Sequence, residues 1–77
     1  MGSVTVAGLV LSGSPGYGFD AVGEGGWRAS YVRLDSGRHR FRVTDGSGTV
    51  MAEELVDGIA ETEVPFAPFR DRFTAGA

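Results

Sequence analysis

The chain has no cysteine, no lysine, no asparagine and no glutamine, and it has one histidine and one isoleucine in 77 residues. Without cysteine there are no disulfides and no thiolate metal sites, and His39 alone cannot build a histidine-rich centre, so neither a metal nor a cofactor is expected. The redox compartment stays open, because a cysteine-free chain suits either one. No run approaches the ~20 apolar residues of a membrane span. The opening Met-Gly-Ser-Val-Thr-Val also lacks the basic start and apolar middle of a signal peptide. The expectation is a protein that is cytoplasmic or part of a particle, with no membrane partner. With lysine missing, all seven basic residues are arginine; glycine, alanine and valine abound, a bias that codons rich in G and C would give. An arginine surface is then a weaker sign of phosphate binding, and the net charge of −3 argues against nucleic acid as a partner.

What is present points to a small all-β domain. A chain this short buries only about 60–65% of the surface its unfolded form exposes, so stabilisation must come from association if it is needed. Residues 27 to 56 hold the only sustained period-2 pattern. Phe41 and Val43 alternate with Arg40, Arg42 and Thr44, as in a strand with one buried and one wet face. A three-residue loop of Asp35, Ser36 and Gly37 places Tyr31 opposite Phe41 and Ala29 opposite Val43. A one-residue slip would instead set Arg33 against Arg40, like charge against like. For the next turn, a two-residue loop beginning at Gly46 pairs Val43 with Val50, Phe41 with Ala52 and Arg40 with Glu53. The expected core face is Trp27, Ala29, Tyr31, Phe41, Val43, Val50 and Ala52. The opposite face mixes Arg28, Arg38, Arg40, Arg42 and Glu53 with Val32, Leu34, Met51 and Leu55.

Residues 3 to 11 read as one strand rich in β-branched residues, with Gly8 a bulge or a point of close approach. Residues 12 to 18 read as a glycine-rich mobile connection. They lack the lysine and the following helix that a phosphate-cradling loop needs. Phe19 to Val22 makes a short strand, Gly23 to Gly26 turns the chain into Trp27, and residues 59 to 64 alternate as a last strand, its edge protected by Glu61 and Glu63 and its end set by Pro65. A β-domain over 1–64 is then followed by a docking tail over 65–77. In that tail Phe66, Phe69 and Phe73 lie at i, i+3 and i+7, one face of a helical segment begun at Pro68 that docks on its own core or on a neighbouring subunit.

No constellation has active-site spacing, so no catalytic residue is expected. His39, beside a turn and flanked by Arg38 and Arg40, reads as a rim residue. Glu53 and Glu54, adjacent in a strand, point to opposite faces and cannot act as a pair. Asp45-Gly-Ser-Gly supplies one carboxylate where calcium wants six or more oxygens. Five arginines and the histidine fall between residues 28 and 42, and Glu53, Glu54, Asp57, Glu61 and Glu63 follow. That segregation predicts a cross-strand ladder of Arg38, Arg40 and Arg42 whose inner members pair with Glu53. The candidate partner-binding residues are Arg38, Arg40, Arg42, Phe66, Phe69 and Phe73. An alternative ligand site would combine stacking and hydrogen bonding from Tyr17, Trp27, Asp20 and Glu24.

The pattern Leu34-x-x-Gly37-x-His39-x-Phe41-x-Val43-x-Asp45 resembles the strand-turn-strand signature of immunoglobulin-like and fibronectin-like sandwiches. The resemblance implies a related β architecture and a structural or interaction role, and it carries over no functional residue. The expected fold is an all-β antiparallel sandwich or open barrel of five to six strands with an aromatic C-terminal tail. The expected function is a non-catalytic structural or protein-interaction module that forms a homo-oligomer or larger assembly, such as a coat-decorating subunit of a phage particle. The alternatives are a small-ligand or carbohydrate-binding domain, and a regulator that docks its arginine face on an acidic partner.

Overall fold

The structure is a computed structural model that describes residues 2–14 and 16–74. Six strands, β1 (Gly2–Val6), β2 (Leu9–Ser14), β3 (Gly18–Val22), β4 (Arg28–Arg33), β5 (His39–Thr44) and β6 (Val50–Val56), form one open antiparallel sheet in sequence order. The helix α1 (Ile59–Phe66) follows, then a 3₁₀ turn over Ala67–Phe69 and the short helix α2 (Arg70–Thr74). Six strands at about 4.8 Å spacing span about 24 Å, more than twice the width of one helix. Yet α1 touches β1 and β6, the two edge strands. The sheet must therefore curl around the helix, with its concave face inside.

The concave side holds a single core of Val6, Leu9, Leu11, Ala29, Tyr31, Phe41, Val43, Val56 and Phe66. Phe66 meets Phe41 edge to face at 4.2 Å between ring centres, an arrangement the opposed charge of ring face and ring edge favours. Trp27, Ala52, Phe69 and Phe73 pack around this centre, whereas Val50, placed in the core by the pattern, is 50% exposed.

The β4–β5 register is the expected one, with Tyr31 opposite Phe41 and Ala29 opposite Val43. Its loop closes with Leu34 N–H donating to the Arg38 carbonyl at 2.8 Å, and Gly37 takes a φ of 89°. The β5–β6 turn repeats this three-residue design rather than the two-residue loop expected. Asp45 N–H donates to the Thr49 carbonyl at 3.0 Å, Gly48 has a φ of 89°, and the Asp45 carboxylate accepts from Ser47 N–H, Thr49 N–H and the Ser47 hydroxyl. A side chain that gathers three donors makes the longer loop the better one. Met51 is then left between the Thr44–Val50 and Val43–Ala52 pairs as a bulge. Past it Arg42 faces Glu53 and Arg40 faces Leu55, which corrects the expected Arg40–Glu53 and Phe41–Ala52 pairs.

Three further readings are corrected. Residues 3 to 11 form a hairpin instead of one strand, because Ala7 (φ 52°) and Gly8 (φ 85°) make a two-residue turn with both central residues left-handed, the form that matches strand twist. The glycine-rich stretch is no loose connection. Its ends belong to β2 and β3, with Ser12 opposite Asp20 and Ser14 opposite Gly18, and Tyr17 N–H donates to the Ser14 carbonyl; Pro15 lies outside the described residues.

The third correction is that the segment read as a last strand is α1. Thr62 is wholly buried, and its N–H and hydroxyl both donate to the Gly58 carbonyl, while Val64 is 74% exposed. Thr62, Phe66, Phe69 and Phe73, spaced 4, 3 and 4, continue one helical face through the 3₁₀ turn. Glu61 does not guard an edge; its carboxylate accepts the Asp57 N–H ahead of the helix. Pro65 sits inside α1 rather than ending a strand. The boundary expected at residues 64/65 therefore falls within α1, and residues 75–77 of the expected tail lie outside the described residues.

Candidate functional site

The convex face of the sheet is where chemistry-bearing side chains collect, because strand alternation sends one residue in two away from the core. Register aligns Ser3, Ser12, Asp20, Ser30, Arg42 and Glu53 in one polar row across all six strands. On one side of it lie Thr5 and Val10, then Val22, Arg28, Thr44 and Val50; on the other lie Val32, Arg40 and Leu55. Val10, Val22 and Leu55 are 62%, 68% and 51% exposed. Among the described residues no helix covers this face, an arrangement an antiparallel sheet tolerates when one face is packed and the other wet.

The arginine ladder is present in altered form. Both Nε and Nη2 of Arg42 approach Glu53 Oε2. Arg38, at the loop end, pairs with Asp57 at 2.8 Å. Arg40 lies between Val32 and Leu55, and its Nε is buried without a hydrogen-bond partner among the described residues. Its aliphatic stem therefore lies along the neighbouring apolar side chains. Two of the three arginines proposed to bind a partner are already engaged within the chain.

The aromatic candidates turn inward. Phe66 is fully buried, so it cannot meet a partner while the core is intact, and Phe69 and Phe73 are half-buried against that core. Phe69 packs on Trp27 at 5.9 Å between ring centres, and the Arg72 guanidinium sits 4.9 Å from the Trp27 ring. Trp27, flanked by an aromatic ring and a cation, is thereby largely covered.

The alternative ligand set is split between the two ends of β3. Tyr17, 90% exposed, and Asp20 line one depression of about 260 Å³ with Ser12, Gly18, Ser30 and Val32. Glu24 and Trp27 belong to the turn at the far end. No group of three or more possible metal-ligating side chains occurs among the described residues. The Asp45 carboxylate is held below its usual range, by the Ser47 hydroxyl first and then by the backbone N–H groups of its turn, so its role there is structural.

The sheet edges differ from one another. β6 carries Glu53 and Glu54 on opposite faces and begins with a bulge, all devices that discourage pairing with a further strand. β1, Gly-Ser-Val-Thr-Val, has no charge, no proline and no bulge. Because Val6 and Leu9 close a two-residue hairpin, Val6, Val4 and Gly2 bond to β2, and the N–H and C=O groups of Ser3 and Thr5 point outward. The uncharged run at the start of the chain was the sequence signal for this edge, hidden while residues 3 to 11 read as one strand. Searches against protein-family models, curated proteins and solved structures find no match. No helix among the described residues is long and apolar enough to cross a membrane.

Proposed function

We propose that the chain is a non-catalytic structural module that associates with copies of itself by pairing β1 edges, as the building block of a larger assembly. The observation that carries this reading is the unguarded β1 beside a guarded β6. A two-fold axis at Val4 sets Ser3 of one copy against Thr5 of the other, twice, and makes four backbone hydrogen bonds. At about 0.5–1.5 kcal/mol net each they contribute about 2–6 kcal/mol, close to the low end of what association costs. A pair of isolated copies is thus weak, with a dissociation constant no tighter than roughly millimolar. Firm assembly arises where several contacts act together.

Sedimentation equilibrium from about 50 μM to about 5 mM tests this, a range that extends past a millimolar dissociation constant. The mass should rise with concentration. Thr5→Pro should abolish the rise and leave the monomer folded, because the N–H it removes points away from β2 and proline is tolerated at a strand edge. Constant monomer mass up to the highest concentration contradicts the proposal.

The depression shared by Tyr17, Asp20, Ser12 and Ser30 favours a second reading, a site for a carbohydrate or another polar flat ligand. An exposed ring supplies stacking there, and a carboxylate and two hydroxyls supply hydrogen bonds. Screening glycans by protein-detected NMR would separate the two readings, since only this one has Tyr17 and Asp20 shift on titration. The third possibility, an acidic partner on the arginines, is weakened by the pairing of Arg38 and Arg42 within the chain.

A further inference from the structure

The concave face is not filled to both ends. Where the 3₁₀ turn and α2 close the end that carries Trp27 and Gly23, the opposite end, at the β4–β5 loop, keeps a pocket of about 300 Å³ lined by Gly18, Phe19, Arg33, Gly37 and His39. Arg33 and His39 are direct cross-strand partners, so their Cβ atoms are about 5 Å apart on one face. His39 stacks flat on Tyr31, with ring centres 4.5 Å apart and planes 9° apart, which fixes the imidazole in place. Phe19 is the cross-strand partner of Tyr31 and supplies the neighbouring wall.

The polar groups of this pocket have capacity the fold does not use. Arg33 is exposed and makes no ion pair among the described residues, in contrast to Arg38 and Arg42. Asp35, the nearest carboxylate in the loop, makes no ion pair with it. His39 Nδ1 is buried with no hydrogen-bond partner among the described residues, a state that leaves desolvation uncompensated. A guanidinium, an imidazole and the Phe19 ring around one small pocket suit an anion with a flat apolar body. The guanidinium fork matches a carboxylate in two parallel hydrogen bonds, and the rings offer stacking surface to the rest of the molecule.

We infer that the Arg33–His39 end of the concave face is a binding site for small carboxylates that carry a planar apolar group. The site lies apart from the β1 edge and does not depend on self-association; it shares Gly18 and Phe19 with the Tyr17–Asp20 depression, but its polar groups are Arg33 and His39. The probe is benzoate, titrated into the ¹⁵N-labelled protein and followed by NMR, with inorganic phosphate as the comparison. Benzoate should shift Phe19, Arg33, Gly37 and His39 signals saturably, and Arg33→Met, which keeps the length of the stem and removes the charge, should weaken binding at least tenfold. Arg28→Met, on the convex face, should leave it unchanged. Phe19→Leu should weaken benzoate more than phosphate, since it removes a flat wall and no charge. The inference is overturned if no saturable shift occurs at these residues, if Arg33→Met binds as the parent does, or if phosphate binds there as tightly as benzoate.

Discussion

Truncation of Phe66 to alanine should bring this domain close to unfolding. The side chain is fully buried where α1 meets the sheet, and its ring packs edge-on against Phe41, itself fully buried. Replacing a buried phenylalanine with alanine costs about 3–5 kcal/mol, because transfer free energy is lost and a cavity remains. A chain of this length has a total stability of about 4–12 kcal/mol at 0.05–0.15 kcal/mol per residue. The substitution therefore removes a quarter or more of it. Since 1 kcal/mol shifts the midpoint of so small a domain by about 4–8 °C, Tm should fall by roughly 12–40 °C. Thermal melts followed by circular dichroism at low micromolar concentration, where self-association does not contribute, measure this. Phe69→Ala provides the scale: its ring is half-buried against Trp27, and its loss should cost only about 1–2 kcal/mol. A loss below about 1 kcal/mol for Phe66→Ala would refute the placement of α1 inside the curled sheet.

Three other outcomes follow from the same geometry. Arg42→Ala should change stability by only about 0–1 kcal/mol, because the Arg42–Glu53 pair is solvent-exposed on both sides; urea unfolding checks this, and a loss of several kcal/mol would mean a buried pair. Asp45 titrates below its usual range when folded, so its turn contributes stability that is complete above the unfolded pKa of about 3.9 and is lost as pH falls through that value toward the lower folded one. Asp45→Asn should accordingly flatten the acid limb of the stability–pH curve, and an unchanged limb would show that the turn does not hold the charge. Gly46→Ala should destabilise by about 1–3 kcal/mol, since an added Cβ would sit 2.2 Å from the Gly25 carbonyl oxygen and push two turns apart; unchanged unfolding would contradict that close approach.

The centre of the fold was legible because two independent signals agreed there. Alternation of Phe41 and Val43 with arginines set the faces, and the repulsion of Arg33 and Arg40 in the slipped register selected the pairing that is found. The next turn misled, because Gly46-Ser47 suits a two-residue loop by residue type. The deciding term is the set of hydrogen bonds gathered by Asp45, which a residue-type rule does not weigh. The first hairpin was hidden because alanine seldom takes a left-handed conformation, and Ala7 does so to complete a turn that Gly8 alone would not announce.

α1 shows the limit of periodicity over short windows. Residues 59 to 64 alternate as a strand would, and only the longer spacing from Thr62 to Phe73 reveals a helical face. Of the candidate site residues, the arginines fell on or beside the convex face as expected. The phenylalanines turned inward because a core this small has more need of them than the surface does. The Arg33–His39 pocket gave no sequence signal, since its members come from β3, β4, the loop after β4 and β5, and only the register of adjacent strands joins them.

The exchange of the Ser3 and Thr5 amide hydrogens as a function of protein concentration addresses the proposed edge pairing most directly. Both N–H groups point away from β2 and should exchange freely in dilute protein, while Val4 and Val6 stay protected by their bonds within the hairpin. At roughly millimolar concentration, where edges pair, Ser3 and Thr5 should become protected together and Thr5→Pro should abolish the protection at Ser3. Free exchange of both amides at every concentration, with the rest of the sheet protected, would contradict pairing through β1.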